Sequence, residues 1–535
     1  MGNPMRDYHE RSKHRLDRYA PGPGVLDWAN QPYPWRTYDG TPRLPFLLAA
    51  DDALAVRYND LRRGALPGPA PLDFRHLGIL FELSLALSAW KEYRGTGWAL
   101  RCNPSSGNLH PTEAYLITPG LPGIDPGVYH YLSRDHVVEQ RVAGEDAWTG
   151  EFRGNGILVA LSSIYWREAW KYGIRAYRYC QHDCGHAIAA LAYAAAALGW
   201  QTRVMDGAAD DDIAKLVGLD RDADFAHAER EAPDVLMLVG EAEAAVEVGR
   251  LVDHMDGCAW RGRANRLSDE HVAWRDIDLV HAAAHKARHW PAAAKLPAGL
   301  PEAGAPRLDL PAAALFRQRR SAVAFDGVTH MPAEAFFAVL AALLPGAGAP
   351  PWSAWPRAPA TVHLALFVHR VDGLASGLYL FLRDPAALPE LQQALRPDWL
   401  WQKFGPPHLP LYLLLPSDLR QAAQLVSCHQ EIAADSCFAL GMLAHFALAE
   451  HEPWRYRELF WECGIIGQAL YLEAEAAGLR GTGIGCFFDD EMHQLLGLRG
   501  HDWQSLYHFA VGGPVEDARL TTFPPYAISS RRGAL

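Results

Sequence analysis

Three short stretches of this chain carry side chains that could do chemistry. Arg101-Cys-Asn-Pro-Ser-Ser-Gly-Asn-Leu-His-Pro-Thr-Glu-Ala-Tyr115 sets Pro104, Ser105, Ser106 and Asn108 in one proline-bounded loop. Hydroxyl, amide and backbone donors of that kind suit a planar polar ligand, and glycine lets the backbone approach it closely. Taken alone, Pro-Ser-Ser-Gly reads as a turn with a helix cap. Arg317-Gln-Arg-Arg-Ser-Ala-Val-Ala-Phe325 offers Arg319, Arg320 and Ser321. Arginines beside a hydroxyl grip phosphate through charge-assisted, often bidentate hydrogen bonds, although alone they make an ordinary solvated turn. Gly478-Leu-Arg-Gly-Thr-Gly-Ile-Gly-Cys486 lets a backbone through Thr482, Gly483 and Ile484 run flat against a ring and present its N–H groups. A helix C-cap accounts for Gly478 but not for Gly481, Gly483 and Gly485 together.

Two further spacings suggest metal and are set aside. Cys180, Cys184 and His186 stand at helical spacing, but the equivalent stretch later in the chain keeps only Cys463, so packing is the shared role. His281, His285 and His289 fall on one helical face without a neighbouring acidic or cysteine cluster, which reads as a structural stripe.

The elements that must position these groups occur twice. Residues 177–219 align with 456–498 at an offset of 279, with 14 of 43 paired positions identical. Tyr177-Arg178 falls on Tyr456-Arg457, Cys184-Gly185 on Cys463-Gly464, and Asp210-Asp211 on Asp489-Asp490. A second ungapped stretch sets 104–131 on 354–381 at an offset of 250. So long a period means two copies of one domain, not a solenoid. Hydrophobic patterning predicts helices at 76–90, 177–198, 332–344 and 455–477. It predicts strands at 114–118, 127–132, 156–162, 235–239, 362–368, 377–382 and 507–511, with a further apolar run at 411–415 completing the second copy. The Pro-, Trp- and Tyr-rich first 50 residues read as an extended surface arm. The class is α+β, each domain a mostly antiparallel sheet packed with helices. The expected division is domain 1 at 1–255, a linker at 256–309 with an Ala/Pro/Gly-rich end at 291–306, and domain 2 at 310–535.

Composition narrows the function. A hydrophobic content of 49% and 21% charged residues describe a globular protein with real cores, and a net charge of −12 without a basic block argues against nucleic acid or anionic membrane as its main partner. The opening residues lack an apolar signal-peptide core, and eight scattered cysteines read as reduced, which points to the cytoplasm.

In order and placement, the serine loop, the Arg-Arg-Ser group and the glycine-rich strand resemble the nitroreductase superfamily in tandem form. The resemblance runs over roughly 62–240 and 310–526, and is nearest to the FMN-dependent dehydrogenase branch that includes the azoline oxidases of modified-peptide biosynthesis. It implies an intramolecular pseudo-dimer with FMN between the domains. Arg319, Arg320 and Ser321 would hold its phosphate, with Arg519 as a further phosphate contact. Thr482, Gly483 and Ile484 would line the ring, and Pro104, Ser105, Ser106 and Asn108 would close the site from the other copy. Val323 stands where many relatives carry another arginine. Lys171-Tyr172 resembles the Lys-Tyr stretch implicated in proton removal, since a desolvated Lys or a Tyr of lowered pKa can act as a base.

The copies differ where the ligand would sit. Pro104–Asn108 becomes Ala354-Trp-Pro-Arg-Ala358, and Thr482-Gly-Ile-Gly485 is matched by Arg203-Val-Met-Asp206. One competent and one lost FMN site are therefore expected. The resemblance implies dehydrogenation of a peptide- or amino-acid-derived substrate, with NAD(P)H-dependent reduction of nitro compounds or quinones as the alternative enzyme. A flavin-free scaffold subunit is the non-enzymatic alternative. A small-molecule or peptide substrate, a biosynthetic partner enzyme and further copies of the chain are the partners left open.

Overall fold

The computed structural model describes residues 3–50, 53–144, 146–289, 304, 307–346, 348–355 and 357–526. Helix α1 (Pro4–Arg11), capped by the Asn3 side chain, opens the chain, and β1 (Arg43–Pro45) lies on a sheet edge. α2 (Phe74–Ser84), capped by Asp73, leads into the hairpin of β2 (Leu87–Tyr93) and β3 (Thr96–Arg101). Then come β4 (Thr112–Thr118), β5 (Gly127–Leu132), β6 (Val137–Ala143) and β7 (Gly156–Ser163). α3 (Tyr165–Tyr172), the long α4 (Ala176–Ala197), β8 (Gln201–Val204), α5 (Asp210–Val217) and β9 (Ala232–Gly240) complete the first half.

After α6 (Arg275–Ala283), the second half runs α7 (Ala312–Gln318), α8 (Ala333–Ala342), β10 (Val362–Val368) and β11 (Gly377–Phe381). It continues with β12 (Gln402–Phe404), β13 (Leu411–Pro416), β14 (Phe438–His445) and the long α9 (Arg455–Ala476). β15 (Arg480–Ile484), α10 (Asp489–Leu496), β16 (Trp503–Gly512) and β17 (Thr521–Phe523) end it.

Each half forms a seven-stranded antiparallel sheet, in the orders β8-β9-β7-β4-β5-β6-β1 and β12-β13-β11-β10-β14-β16-β15. Read from the β15 edge, six strands of the second order match the first in turn; the last edge strands differ, since β1 precedes the other strands of its sheet and β12 falls between β11 and β13. The inner strands β4, β7, β10 and β14 are buried almost throughout, because both faces of each sheet are covered. Inner faces share one hydrophobic core that draws on both halves and contains α4 and α9. Each outer face has its own smaller core, one around Trp148 and Ile213, the other around Trp399 and Met492. Every described residue of α4 is buried, which explains why its apolar character runs all round the helix. No helix among the described residues is long and apolar enough to cross a membrane.

Several of the repeated residues join the halves. A Cβ built on Gly185 would meet the Trp461 carbonyl oxygen at 2.2 Å, and one on Gly464 the His182 carbonyl oxygen at 2.3 Å. α4 and α9 therefore cross glycine on glycine, and only a missing side chain permits that approach. Tyr177 and Tyr456 stack with centroids 6.2 Å apart and rings 6° from parallel. Arg178 pairs with Asp489 at 2.6 Å, and its counterpart Arg457 pairs with Asp210 across the pseudo-twofold. Burial alone raises the Asp489 carboxyl, but the charges of Arg178 and Arg175 outweigh it and hold Asp489 below the usual carboxylate range.

Three expectations change. Residues 76–90 are not one helix: α2 ends at Ser84, and Leu87 onward is extended because it pairs with both β3 and β17, the last a partner more than 400 residues away. In the second copy, the counterpart of β7 is β14, not the run at 411–415. β14 pairs with β10 and β16 as β7 pairs with β4 and β9, while β13 sits at the place of β6. The arm is more than a surface wrap. α1 is inserted at the junction of the halves, where Tyr8 packs edge-on against both Tyr177 and Tyr456. The Ala/Pro/Gly-rich stretch at 291–306 lies outside the described residues, apart from Gly304.

Two predictions test this junction. Gly464→Ala forces backbone against backbone and should cost about 1–3 kcal/mol in thermal or denaturant unfolding. Gly22→Ala, where an added methyl meets nothing within 4 Å, should be neutral; an unchanged Gly464→Ala contradicts the crossing. Because Asp489 is held below its unfolded value near 3.9, its contribution is present above that pH and lost as the pH falls below it. Asp489→Asn should be less stable near pH 7, and acid titration of its unfolding midpoint should show a shallower decline than wild type.

Candidate functional site

The halves leave one large cavity between them, of about 520 Å³, and most of the residues singled out in the sequence line it. Pro104, Ser105, Ser106 and Asn108 reach it from the turn between β3 and β4. Arg319, Arg320 and Ser321 reach it from the segment after α7, and Thr482, Gly483 and Ile484 from β15. Tyr172 lines it as well.

The serine turn is held from below by α4. Asp183 accepts the Ser106 N–H at 3.0 Å and the Ser106 hydroxyl at 2.9 Å. Ser105 Oγ accepts the His110 N–H at 2.8 Å, and the Asn108 amide donates to the Ala99 carbonyl at 2.8 Å. Burial pushes the Asp183 carboxyl up to about 7 against the hydrogen bonds from Ser106 and Ser105, so it exchanges a proton near neutral pH. The Tyr172 hydroxyl lies over Gly107, where a Cβ would meet it at 2.4 Å. Burial first, and then the neighbouring Glu168 and Tyr179, raise the Tyr172 phenol, opposite to the lowered value that a base would need.

The opposite wall is organised by Tyr471 of α9. Its hydroxyl bonds Ser321 Oγ at 2.8 Å and accepts the Gly483 N–H at 2.9 Å, tying the Arg-Arg-Ser segment to the glycine strand. A Cβ on Gly483 would collide with the Tyr507 hydroxyl at 1.9 Å, so only glycine allows this strand to lie so close. Arg319 crosses to the first half, donating to the carbonyls of Cys102 and Arg101 at 2.9 Å each, and its buried Nη1 has no partner among the described residues. Arg320 donates to the carbonyls of Arg317, Arg319 and Ser88. Burial and then the adjacent Arg319 charge pull Arg320 down to about 10. Two desolvated guanidiniums bonded to carbonyl dipoles, with a donor to spare, make a site for an anion.

Two expected residues lie apart. Lys171 is outside the cavity wall, its ammonium 5.2 Å above the Tyr172 ring. Arg519 is 73% exposed and paired with Asp517, while Arg480 and Lys91 bring cationic groups to the cavity instead. Val323, the departure from the family pattern, lines the cavity and is exposed. Sequence reading also missed Asp183, Tyr179, Tyr471 and Glu168. Glu168 is buried with neither carboxylate oxygen hydrogen-bonded among the described residues. The available signal was the repeat itself, since Tyr179 and Tyr471 stand where the other copy has Glu458 and Ala192.

The equivalent place on the other side is filled. Arg357, aligned with Gly107, pairs with Asp206 at 2.6 Å and with Glu458 at 3.0 Å; Asp206 and Glu458 are aligned with Gly485 and Tyr179. Lys286, after α6, completes the cluster at 2.8 Å from Asp206 and 3.2 Å from Glu458. The histidines of the stripe go separate ways: His281 to Tyr165, His285 to Asp211, and His289 against Trp454.

The chain matches the nitroreductase family over residues 97–228 and 317–513, and it belongs to that family, with a family domain in each half. A Methanocaldococcus jannaschii protein named as a nitroreductase is 25% identical over 146 residues, 26% of this chain and 68% of that protein. A crystal structure from Anabaena variabilis, also named as a nitroreductase, superposes with a TM-score of 0.69 at 20% identity. It covers 96% of this chain and 100% of that one, so the two share the whole tandem fold. A chain of the E. coli microcin synthetase McbBCD complex with truncated pro-MccB17 is similar over 37% of this chain and 75% of that one, at 19% identity and a TM-score of 0.27.

Removing one member of the filled cluster should leave its buried partners unbalanced. Arg357→Met should lower stability by about 3–5 kcal/mol in unfolding experiments while leaving ligand binding in the open cavity unchanged.

Proposed function

We propose that this protein is an FMN-dependent oxidoreductase that holds one FMN in the cavity between its halves and dehydrogenates a peptide- or amino-acid-derived substrate. The observation that carries the reading is the meeting of the serine turn of one half with the arginines and glycine strand of the other in a single cavity. Arg319 and Arg320, with Arg480 and Lys91 near them, would hold the phosphate; the unpartnered Arg319 Nη1 is the donor such an anion satisfies. Gly483 and Ile484 would lie along the ring, with Ser106 and Asn108 closing over it from the other half. The bound flavin supplies the acceptor for a hydride. The chain supplies proton handling and orientation: Asp183, titrating near neutrality, takes the substrate proton, and Tyr172 stays protonated and donates a hydrogen bond. The filled cluster at Arg357 supports one flavin per chain rather than two.

Purified protein should be yellow and release close to one FMN per chain on denaturation. Arg319→Ala should weaken flavin binding by roughly 10- to 100-fold, the value of a lost charge-assisted hydrogen bond, while Arg519→Ala leaves it unchanged. Colourless protein, or two flavins per chain, contradicts the reading. Rapid NADH or NADPH consumption without an organic donor points to the reductase alternative. With Asp183 acting in its ionised form, kcat/KM should rise with pH and level off above about 7. Asp183→Asn should remove that limb and slow turnover by about 10²–10⁴-fold; a pH profile unchanged by the substitution refutes the role.

A further inference from the structure

Most cysteines of this chain are inert by burial. The thiols of Cys180, Cys184 and Cys463 are raised by it, and that of Cys102 is pushed up to about 11. Cys486 and Cys428 differ. Both are partly exposed, and Cys486 lines the cavity directly after the glycine strand.

The backbone brings the two together independently of their side chains. Gln430 donates through its amide to the Cys486 carbonyl at 2.9 Å and to the Ser427 carbonyl at 2.8 Å, and the Phe488 N–H bonds the Val426 carbonyl at 2.8 Å. From the other side, the arm carrying His14 runs beside Phe488, and the His14 N–H bonds Asp489 at 3.1 Å. His14 Nδ1 accepts the Ala20 N–H at 2.9 Å, so neutral His14 carries its proton on Nε2. That nitrogen is the one left to face Cys486, whose thiol His14 lowers. Arg175 of the first half adds positive charge, its guanidinium 2.7 Å from the Gly485 carbonyl oxygen.

We propose that Cys486 and Cys428 form a reactive dithiol at the wall of the interdomain cavity, with Cys486 the nucleophile toward small-molecule disulfides and Cys428 the resolving thiol. Cys486 thiolate attacks one sulfur of the disulfide, forming a mixed disulfide and releasing one thiolate. Cys428 then loses its proton to solvent and attacks the Cys486 sulfur, forming the Cys428–Cys486 disulfide and releasing the second thiolate. Two protein thiols are oxidised and one external disulfide is reduced to two thiols. The groups facing the pair are His14 and Tyr19 of the arm, Tyr172, Arg175 and Tyr179 of the first half, and Asp489 of α10. Cys428, followed by His14 and Arg175, holds Cys486 below the ordinary thiol range despite its burial.

The test uses the full chain as purified. Iodoacetamide labelling is followed by peptide mass mapping between pH 8 and pH 6. Cys486 should label at a nearly constant rate, while an ordinary thiol falls by roughly two orders of magnitude over that interval. Oxidised glutathione should then yield a Cys428–Cys486 disulfide in wild type and a persistent glutathione adduct on Cys486 in Cys428→Ser, which retains a hydroxyl donor. Three results would each overturn the proposal. They are Cys486 labelling that falls in step with Cys258, a stable Cys486 adduct with Cys428 present, and no adduct in Cys428→Ser.

Discussion

The molecule is organised by one close approach, the crossing of α4 and α9 at Gly185 and Gly464. Side chains there would strike main-chain oxygens of the facing helix, so no rotamer change could accommodate them. The crossing sets the distance between two sheets that share a single core. It also fixes where loops from one half can meet strands of the other. Around it, the Tyr177–Tyr456 stack and the reciprocal arginine–aspartate pairs Arg178–Asp489 and Arg457–Asp210 repeat on both sides. The tyrosine, arginine, glycine and aspartate of these contacts are identical in the two copies because each must serve the same pseudo-symmetric contact. Other shared positions, such as Gly218 against Trp260 and Gly497 against Arg396, do not touch the partner copy.

Chain ends reinforce the junction. β17, from the end of the second half, completes a three-stranded sheet with β2 and β3 of the first. α1, from the start, places His9 against Tyr456 and Gln504 of the second half. With each half supplying parts of the other's surroundings, the pair behaves as one cooperative body, and the cavity between them is a fixed feature instead of a cleft between loosely linked domains.

Much of this was legible in the sequence, for identifiable reasons. β10 is predicted at 362–368 and observed there, because a fully buried inner strand is a continuous apolar run bounded by turns. The long helices were legible from their Ala- and Leu-rich repeat and the glycines that end them. The residues after Ser84 were misjudged because their extended form depends on a strand near the other end of the chain, which no local pattern encodes. In the cavity, motif residues such as Arg319 and Thr482 were legible, whereas Asp183 and Tyr471 were not. Those two act by holding Ser106 and Gly483 in place, and a hydrogen bond across 77 residues, as between Ser106 and Asp183, leaves no spacing to read. Arg519 failed for the opposite reason: a nearby Asp517 offers it an exposed local partner.

The two pseudo-equivalent places show how charge decides between a site and a filler. At Arg357 every cation faces carboxylates: Asp206 and Glu458 neutralise Arg357 and Lys286 within a largely buried cluster. Such a cluster offsets its own desolvation and leaves no donor for a ligand. At Arg319 and Arg320 the guanidiniums are also desolvated but lean on carbonyls, and one buried donor has no partner among the described residues. That arrangement is costly for the protein alone and is relieved by an anion arriving with its own acceptors. Duplication supplied two such places. Where the open cavity has Gly485, Tyr179 and Gly107, the other place has Asp206, Glu458 and Arg357, and these pair into an internal weld. The same acids placed opposite Arg319 and Arg320 would pair with them and occupy the donor that stays unbonded among the described residues.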